Sequence, residues 1–160
     1  MVRTSGAHQR SVPLLLILAA AALLAGRVAS QWIAPQVDGA SSLVHWVRLE
    51  DAGRLAAISN KPVLLDFTAA WCGPCHRLDA EVFANAELAR EINERFIPVR
   101  VIDRQREDGR NVPPVAALLQ RFTVRVFPTV IFADARGTEL GRTEGFGGRG
   151  QFEKVMEQAR

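Results

Sequence analysis

The order of apolar and polar residues predicts strands that alternate with helices. Residues 63–67 and 96–102 form two nearly unbroken apolar runs, which is the pattern of strands buried on both faces of a sheet. Between these runs, apolar residues recur at helical spacing from Leu78 to about Arg95. This spacing predicts one long or kinked helical region between two central strands.

The rest of the chain continues the alternation. The pattern predicts, in chain order, a short strand or extended lead-in over 43–48, a helix over 50–59, a charged loop over 103–112, a helix over 113–122, strands over 128–132 and 139–145, and a helix over 151–158. Strands that alternate with helices and then end in a hairpin imply a mixed sheet. We therefore predict an α/β fold with a mixed central sheet and helices on both faces.

The first 30 residues differ from the rest of the chain. An uncharged apolar stretch spans residues 12–25, with Arg3 and Arg10 before it and Arg27 after it. As a helix this stretch would measure about 21 Å, shorter than the roughly 30 Å core of a bilayer. We expect either a secretory signal cleaved after Ser30 or an uncleaved membrane anchor in which Arg27 reaches the interface. Both alternatives export the remainder, which we divide into a linker over 31–43 and one domain over 44–160.

The net charge of +3 comes entirely from these N-terminal residues. They hold three of the 20 basic residues and no acidic residue, so 17 basic and 17 acidic side chains balance over residues 31–160. A balanced domain gives no indication of nucleic-acid binding. Within the loop over 103–112, Arg104, Arg106 and Arg110 are interspersed with Glu107 and Asp108. We expect this loop to be a solvated surface segment.

The only two cysteines stand in the motif Trp71-Cys72-Gly73-Pro74-Cys75, shortly after the first apolar run. A Cys-x-x-Cys at a strand-to-helix junction places both sulfurs on the first helical turn, where free backbone N–H groups and the helix dipole favour the thiolate. Pro74 fits a first turn, where its missing N–H costs nothing. We predict Cys72, at the helix start and expected to be the exposed sulfur, as the nucleophile. Cys75 is then the resolving thiol of a dithiol exchange.

Three other uses of the pair compete with exchange chemistry. A purely stabilising disulfide is disfavoured because closing so small a loop removes little chain entropy. His76 completes a Cys-x-x-Cys-His pattern that attaches haem in exported proteins. A closed zinc site needs four ligands, for which only His8, His45 and His76 could join the two thiolates. We expect no metal and no cofactor beyond a redox-active Cys72–Cys75 disulfide.

Three motifs in order resemble the thioredoxin superfamily over about residues 44–160. They are Leu64-Leu65-Asp66-Phe67 with the cysteine motif behind it, Val126-Phe127-Pro128-Thr129 at the position of the cis-proline loop, and Gly145-Phe146 at the end of the last strand. Lys61-Pro62-Val63 and Phe83-Ala84-Asn85-Ala86-Glu87 are similar to segments of the exported or membrane-tethered members, the family that includes the C-terminal domain of the disulfide reductase DsbD. Gly-Pro between the cysteines departs from that subgroup and resembles cytoplasmic thioredoxin.

The resemblance implies roles for the residues around the cysteines. Asp66 corresponds to the family's buried acid, a slow proton acceptor for Cys75; the alternative is an aspartate that merely pairs with a nearby base. Pro128 corresponds to the cis-proline, beside which an extended substrate strand would pair; the alternative is a strand-edge proline. Trp71 would shield the thiols, unless it is a plain core residue. The expected substrate-binding residues are Trp71, Gly73, Pro74, Phe127 and Pro128.

Together these features predict an exported, periplasmic thiol–disulfide oxidoreductase that reduces protein disulfides. Gly73-Pro74 resembles the reducing thioredoxins, and a reductase in an oxidising compartment needs electrons from a membrane partner. Two alternatives compete with this prediction. One is a client-binding or chaperone module that uses the Trp71 and Pro128 surface, and the other is a net oxidase or isomerase.

Overall fold

A four-stranded mixed sheet organises the chain in the computed structural model, which describes residues 42–159. The strands are β1 (Val63–Ala69), β2 (Ile97–Asp103), β3 (Thr129–Ala133) and β4 (Glu139–Glu144), in the spatial order β2-β1-β3-β4. β1 runs parallel to β2, whereas β3 runs antiparallel to both β1 and β4. The predicted mixed sheet is confirmed. The predicted signal or anchor over 1–30 and nearly all of the linker lie outside the described residues.

Within residues 42–159, six α-helices and one π-helical turn accompany the strands. They are α1 (Leu49–Ser59), α2 (Gly73–Leu78), the π-helical turn (Asp79–Phe83), α3 (Ala86–Arg95), α4 (Gln105–Asp108), α5 (Pro113–Arg121) and α6 (Arg149–Gln158). Within residues 42–159, no helix combines the length and the apolar composition that a membrane span requires.

The core has two apolar layers because side chains alternate across the central strand. Leu64 of β1 belongs to the layer that contains side chains of α2, the π-helical turn, α3 and α6. Leu65 and Phe67 belong to the opposite layer, with side chains of α1 and α5. Asp66 follows the alternation of Leu64, so it lies on the face of the sheet that α2 covers. Helices therefore pack on both faces, as the sequence predicts.

The predicted helical region between the two central strands is divided in three. α2 passes into the π-helical turn, and the chain then starts a new helix at Asn85. The Oδ1 atom of Asn85 accepts hydrogen bonds from the backbone N–H groups of Glu87 and Leu88, both at 3.1 Å. An asparagine that satisfies two N–H groups in this way favours a new helix start at this position. The helix is therefore interrupted, although the apolar spacing continues across the break.

Residues 43–48, predicted as a short strand or an extended lead-in, form the extended lead-in, with a single bridge from Val47 to Val99. The predicted charged loop differs from its prediction, because it contains the short helix α4.

We predict that Asn85→Ala lowers the free energy of unfolding by about 1 kcal/mol, because two N–H groups at the start of α3 lose their acceptor. Asn85→Asp, which keeps an acceptor oxygen and adds favourable charge at the helix start, retains nearly all of the stability. Urea denaturation of the three proteins measures the difference. Equal losses in the Ala and Asp variants would contradict the capping role.

Candidate active site

The Cys72–Cys75 disulfide lies at the N-terminus of α2. Cys72 is the N-cap of this helix, and its Sγ accepts a hydrogen bond from the backbone N–H of Cys75 at 3.2 Å. The two Cα atoms are 5.2 Å apart, and Pro74 occupies the first helical turn. Because N–H donors and the dipole at a helix start favour negative charge, this position stabilises a thiolate on Cys72 once the disulfide is reduced.

Exposure does not distinguish the two sulfurs. Both cysteines are only 2% exposed in the disulfide form, which differs from the expectation that Cys72 is the exposed one. The physical reason is the cluster that they form with Ala69, against which Phe127 packs. The helix-cap position of Cys72, rather than its accessibility, is what separates it from Cys75.

An aromatic pair and a cis-proline loop border the disulfide. Trp71 is 41% exposed, so it is not a core residue, and its ring packs edge to face on Phe127 with centroids 5.8 Å apart. The Phe127–Pro128 peptide bond is cis, as the resemblance implies. The backbone N–H of Gly145, directly after β4, donates to the carbonyl oxygen of Pro128 at 2.8 Å and fixes this loop against the sheet. Gly73 is exposed beside this pair, as is Pro74.

Asp66 is both buried and paired with a base, Arg100; its role as the proton acceptor of Cys75 stays a prediction. Its exposure is 1%, and its Oδ2 atom accepts a hydrogen bond from Nε of Arg100 at 3.0 Å. Within residues 42–159 its Oδ1 atom has no hydrogen-bond partner. Burial raises the pKa of Asp66 to about 7, although the Arg100 charge opposes this shift and the Asp79 charge adds to it.

Arg100 was not among the predicted site residues. It pairs in register with Asp66 on the neighbouring strand β2, and its guanidinium also donates to Oδ1 of Asp79. The same group lies over the ring of Trp46, 4.3 Å from its centroid, and is only 11% exposed. An arginine inside an otherwise apolar strand was the available signal, because a buried charge requires a partner.

A cavity lies beside Arg100 and Asp79 of this ion group. Its volume is about 220 Å³, and its lining includes Asp79, Arg100, His76 and Arg104. Several water molecules fit in such a volume. The cavity therefore leaves room for water beside Arg100, the partner of Asp66, whereas Asp66 itself is not part of its lining.

Arg106 is a second residue that sequence reasoning missed. Its guanidinium carbon lies 3.5 Å from the centroid of the Trp71 ring, which makes it the closest cation–π contact among the described residues. We expected Arg106 to be part of a solvated loop, and its exposure agrees with that expectation. The contact with Trp71 depends on the fold of α4 and had no local signal.

His76 follows the second cysteine and contacts the backbone rather than a cluster of ligands. Its Nε2 atom lies 3.2 Å from the carbonyl oxygen of Ala70, an acceptor that places the ring proton on Nε2. Across residues 42–159, no group of three or more His, Cys, Asp and Glu side chains is arranged to bind a metal ion.

A disulfide at a helix N-terminus, a strand that leads into it and a cis-proline loop beside it define the class. This is a thioredoxin fold with a dithiol–disulfide centre, the arrangement of thiol–disulfide oxidoreductases. The chain belongs to the thioredoxin-like domain family, whose sequence profile matches residues 49–160.

The chain is similar in sequence to thiol:disulfide interchange proteins of the DsbD type. The thiol:disulfide interchange protein DsbD of Cronobacter sakazakii is 31% identical over 138 residues, which are 82% of this chain and 23% of that protein. DsbD of Yersinia enterocolitica is 30% identical over 139 residues, with the same two coverages. The chain therefore spans about a quarter of the length of these relatives.

Solved structures include a DsbD domain that is similar to this chain in both sequence and fold. The reduced C-terminal domain of Neisseria meningitidis DsbD is 29% identical with a TM-score of 0.55, and the match covers 70% of this chain and 94% of that one. The oxidoreductase DsbH has a TM-score of 0.63 at 20% identity, with 79% of this chain and 89% of that chain covered, and it supports the fold alone.

We predict that the raised pKa of Asp66 makes the protein less stable as the pH rises from about 4 to about 7. In this range the folded state binds a proton that the unfolded state has released, so the free energy of unfolding falls by up to about 1.4 kcal/mol per pH unit. Asp66→Asn removes this contribution. Urea denaturation of both oxidised proteins at several pH values measures it, and parallel stability curves would show that Asp66 does not titrate in this range.

Proposed function

We propose that this chain is an exported thiol–disulfide oxidoreductase that reduces protein disulfides through Cys72 and Cys75. The observation that carries the proposal is the Cys72–Cys75 disulfide, in which the first sulfur caps α2 and accepts the N–H of Cys75. A sulfur in this position is stabilised as a thiolate, which is the species that attacks a disulfide. Homology to the thiol:disulfide interchange protein DsbD supports the same chemistry.

The exchange proceeds in two steps that balance. The Cys72 thiolate attacks one sulfur of the target disulfide, forms a mixed disulfide and releases the other target sulfur as a thiolate. Cys75 then loses its proton and attacks the Cys72 sulfur, which releases the second target thiolate. Two electrons pass from the Cys72–Cys75 dithiol to the target, and both target thiolates take up protons.

Asp66 accepts the proton of Cys75 in the second step. Its carboxyl group lies on the sheet face that α2 covers, and its pKa of about 7 makes both of its protonation states accessible near neutral pH. Arg100 holds one carboxylate oxygen, and the cavity lined by Asp79 and His76 leaves room for water beside Arg100. Arg100 is a positioning residue in this scheme, because it acts through Asp66.

The substrate lies against the rim formed by Trp71, Gly73, Pro74 and the cis-proline loop. An extended segment pairs with the backbone at Phe127 and Pro128, which brings its disulfide to Cys72. Exposed Trp71 and Val126, at 41% and 47%, supply apolar contact area. This apolar surface also favours the second candidate, a module that binds unfolded or thiol-bearing clients without turnover.

The N-terminal sequence supports export from the cytoplasm, and the Gly73-Pro74 pair supports the reducing direction. The apolar stretch over 12–25 with its basic flanks directs the domain out of the cytoplasm, either as a cleaved signal or as an anchor. In an oxidising compartment a reductase requires a source of electrons, for which we propose a membrane-bound thiol donor. A net oxidase would require no such donor.

We predict that the protein accelerates the reduction of insulin by dithiothreitol and that Cys72→Ser abolishes the acceleration. Cys75→Ser keeps the nucleophile but lacks the resolving thiol, so it accumulates mixed disulfides that are visible on non-reducing gels. Because the chain has no other cysteine, any adduct on this variant reports Cys72. Adducts that form equally on Cys72→Ser would contradict the assignment.

The same assay separates the alternatives. An insulin reduction rate that the wild type leaves unchanged would favour the client-binding module. Equilibration of the Cys72–Cys75 pair with glutathione separates reductase from oxidase, since a reductase stays largely in the disulfide form at a glutathione potential at which an oxidase is already reduced.

We predict that Asp66→Asn slows turnover several-fold at pH 7 to 8, because Asn cannot accept the Cys75 proton. The wild-type rate should rise with pH through about 7, where Asp66 loses its own proton, and the variant should lack this rise. Steady-state insulin reduction from pH 5.5 to 9 measures both. A variant with the wild-type pH profile would exclude Asp66 as the acceptor.

A further inference from the structure

The stack of Arg106 on Trp71 differs from the other arginine contacts of its segment. Arg104, on the same helical turn, is engaged by Asp108 at 2.6 Å. Arg106 makes no ion pair within residues 42–159, and Glu107, its neighbour in sequence, does not bond to it. Among the residues that the structure describes, no carboxylate therefore compensates its charge beside Trp71.

The backbone around Arg106 is held by a network of polar contacts. The side chain of Gln105 donates to the carbonyl oxygen of Gly109 at 2.7 Å, and Oδ1 of Asn111 accepts the backbone N–H of Arg104, also at 2.7 Å. Asn111 also donates to the buried Asp103 at the end of β2. These contacts anchor α4 to the sheet, so Arg106 is presented at a defined position above Trp71.

A guanidinium that lies over an indole face has no hydrogen-bond acceptor in the ring, so its N–H groups stay available to an acceptor on a partner. These N–H groups match the two oxygens of a carboxylate, and stacking pre-organises them so that less side-chain entropy is lost on binding. The indole also excludes water from one side of the group. The exposed apolar side chain of Val126 and the half-buried Phe127 lie on the cis-proline loop that borders the same disulfide.

We propose that Arg106 and Trp71 form a carboxylate-binding subsite that selects protein partners with Asp or Glu beside the reacting disulfide or dithiol. The inference rests on the proposed function, because it assigns a partner class to the same site. Charge complementarity carries it, because a positioned guanidinium with no ion pair within residues 42–159 lies over Trp71, which borders the disulfide. Trp71 contributes the apolar platform and Arg106 the recognition of the acid.

Three peptides with an internal disulfide test the proposal, identical except for Glu, Gln or Lys on either side of one cysteine. The full chain reduces each with dithiothreitol as electron source at low salt, and kcat/KM is measured. We expect the order Glu, Gln, Lys, with Glu about three- to fivefold above Gln, the size of a solvent-exposed ion pair. The preference should shrink at high salt.

Arg106→Gln should remove the preference for Glu, whereas Arg106→Lys should keep part of it because the charge remains without the planar fork. Arg110→Gln is the matched control, since it removes an exposed arginine of the same segment that does not contact Trp71, and it should keep the full preference. Circular dichroism checks that each variant is folded.

Equal kcat/KM values for the Glu and Gln peptides with the wild type would overturn the proposal and leave the reductase function standing. A preference that survives Arg106→Gln, or a variant that loses rate equally on all three peptides, would overturn it as well, because Arg106 would then only support Trp71. If the wild type reduces none of the peptides, the proposed function fails and this inference fails with it.

Discussion

The ion pair between Asp66 and Arg100 is the contact on which the rest of the site depends. A charged carboxylate with 1% exposure costs several kcal/mol to desolvate, and one guanidinium on the adjacent strand offsets part of that cost. Arg100 also donates to Asp79 after α2 and lies over Trp46 of the lead-in. A single side chain therefore joins β1, β2, the π-helical turn and the extended lead-in over 43–48.

Arg100 offsets only part of the cost of burying the charge of Asp66, and this sets the pKa of its carboxyl group. Full pairing of both carboxylate oxygens would keep Asp66 charged well below neutral pH, whereas a carboxyl group with no partner would stay protonated far above it. Arg100 holds Oδ2 and leaves Oδ1 without a partner among the described residues, and the result is a pKa of about 7. In the proposed exchange this arrangement complements the cysteine pair, because Cys72 lies at the helix N-terminus, which favours negative charge, whereas Cys75 would pass its proton to Asp66.

Local sequence pattern predicted much of the fold and part of the site. Apolar periodicity identified the central strands, and the Cys-x-x-Cys spacing identified the start of α2, because both signals arise within one element. The resemblance implied the cis bond before Pro128, which the structure shows. The spacing of Leu78, Leu88 and Ile92 predicted a continuing helix but not its interruption, because the capping hydrogen bonds of Asn85 leave the apolar periodicity unchanged.

Spacing and apolar pattern act over a few residues, so they were enough to predict two cysteines at the start of a helix behind a buried acid. The surroundings of these cysteines depend instead on packing between distant elements. The partner of Asp66 lies 34 positions away and is set by the register of two parallel strands, and the cation above Trp71 is set by the docking of α4. Such contacts depend on which distant surfaces pack together, and local sequence periodicity does not predict that packing.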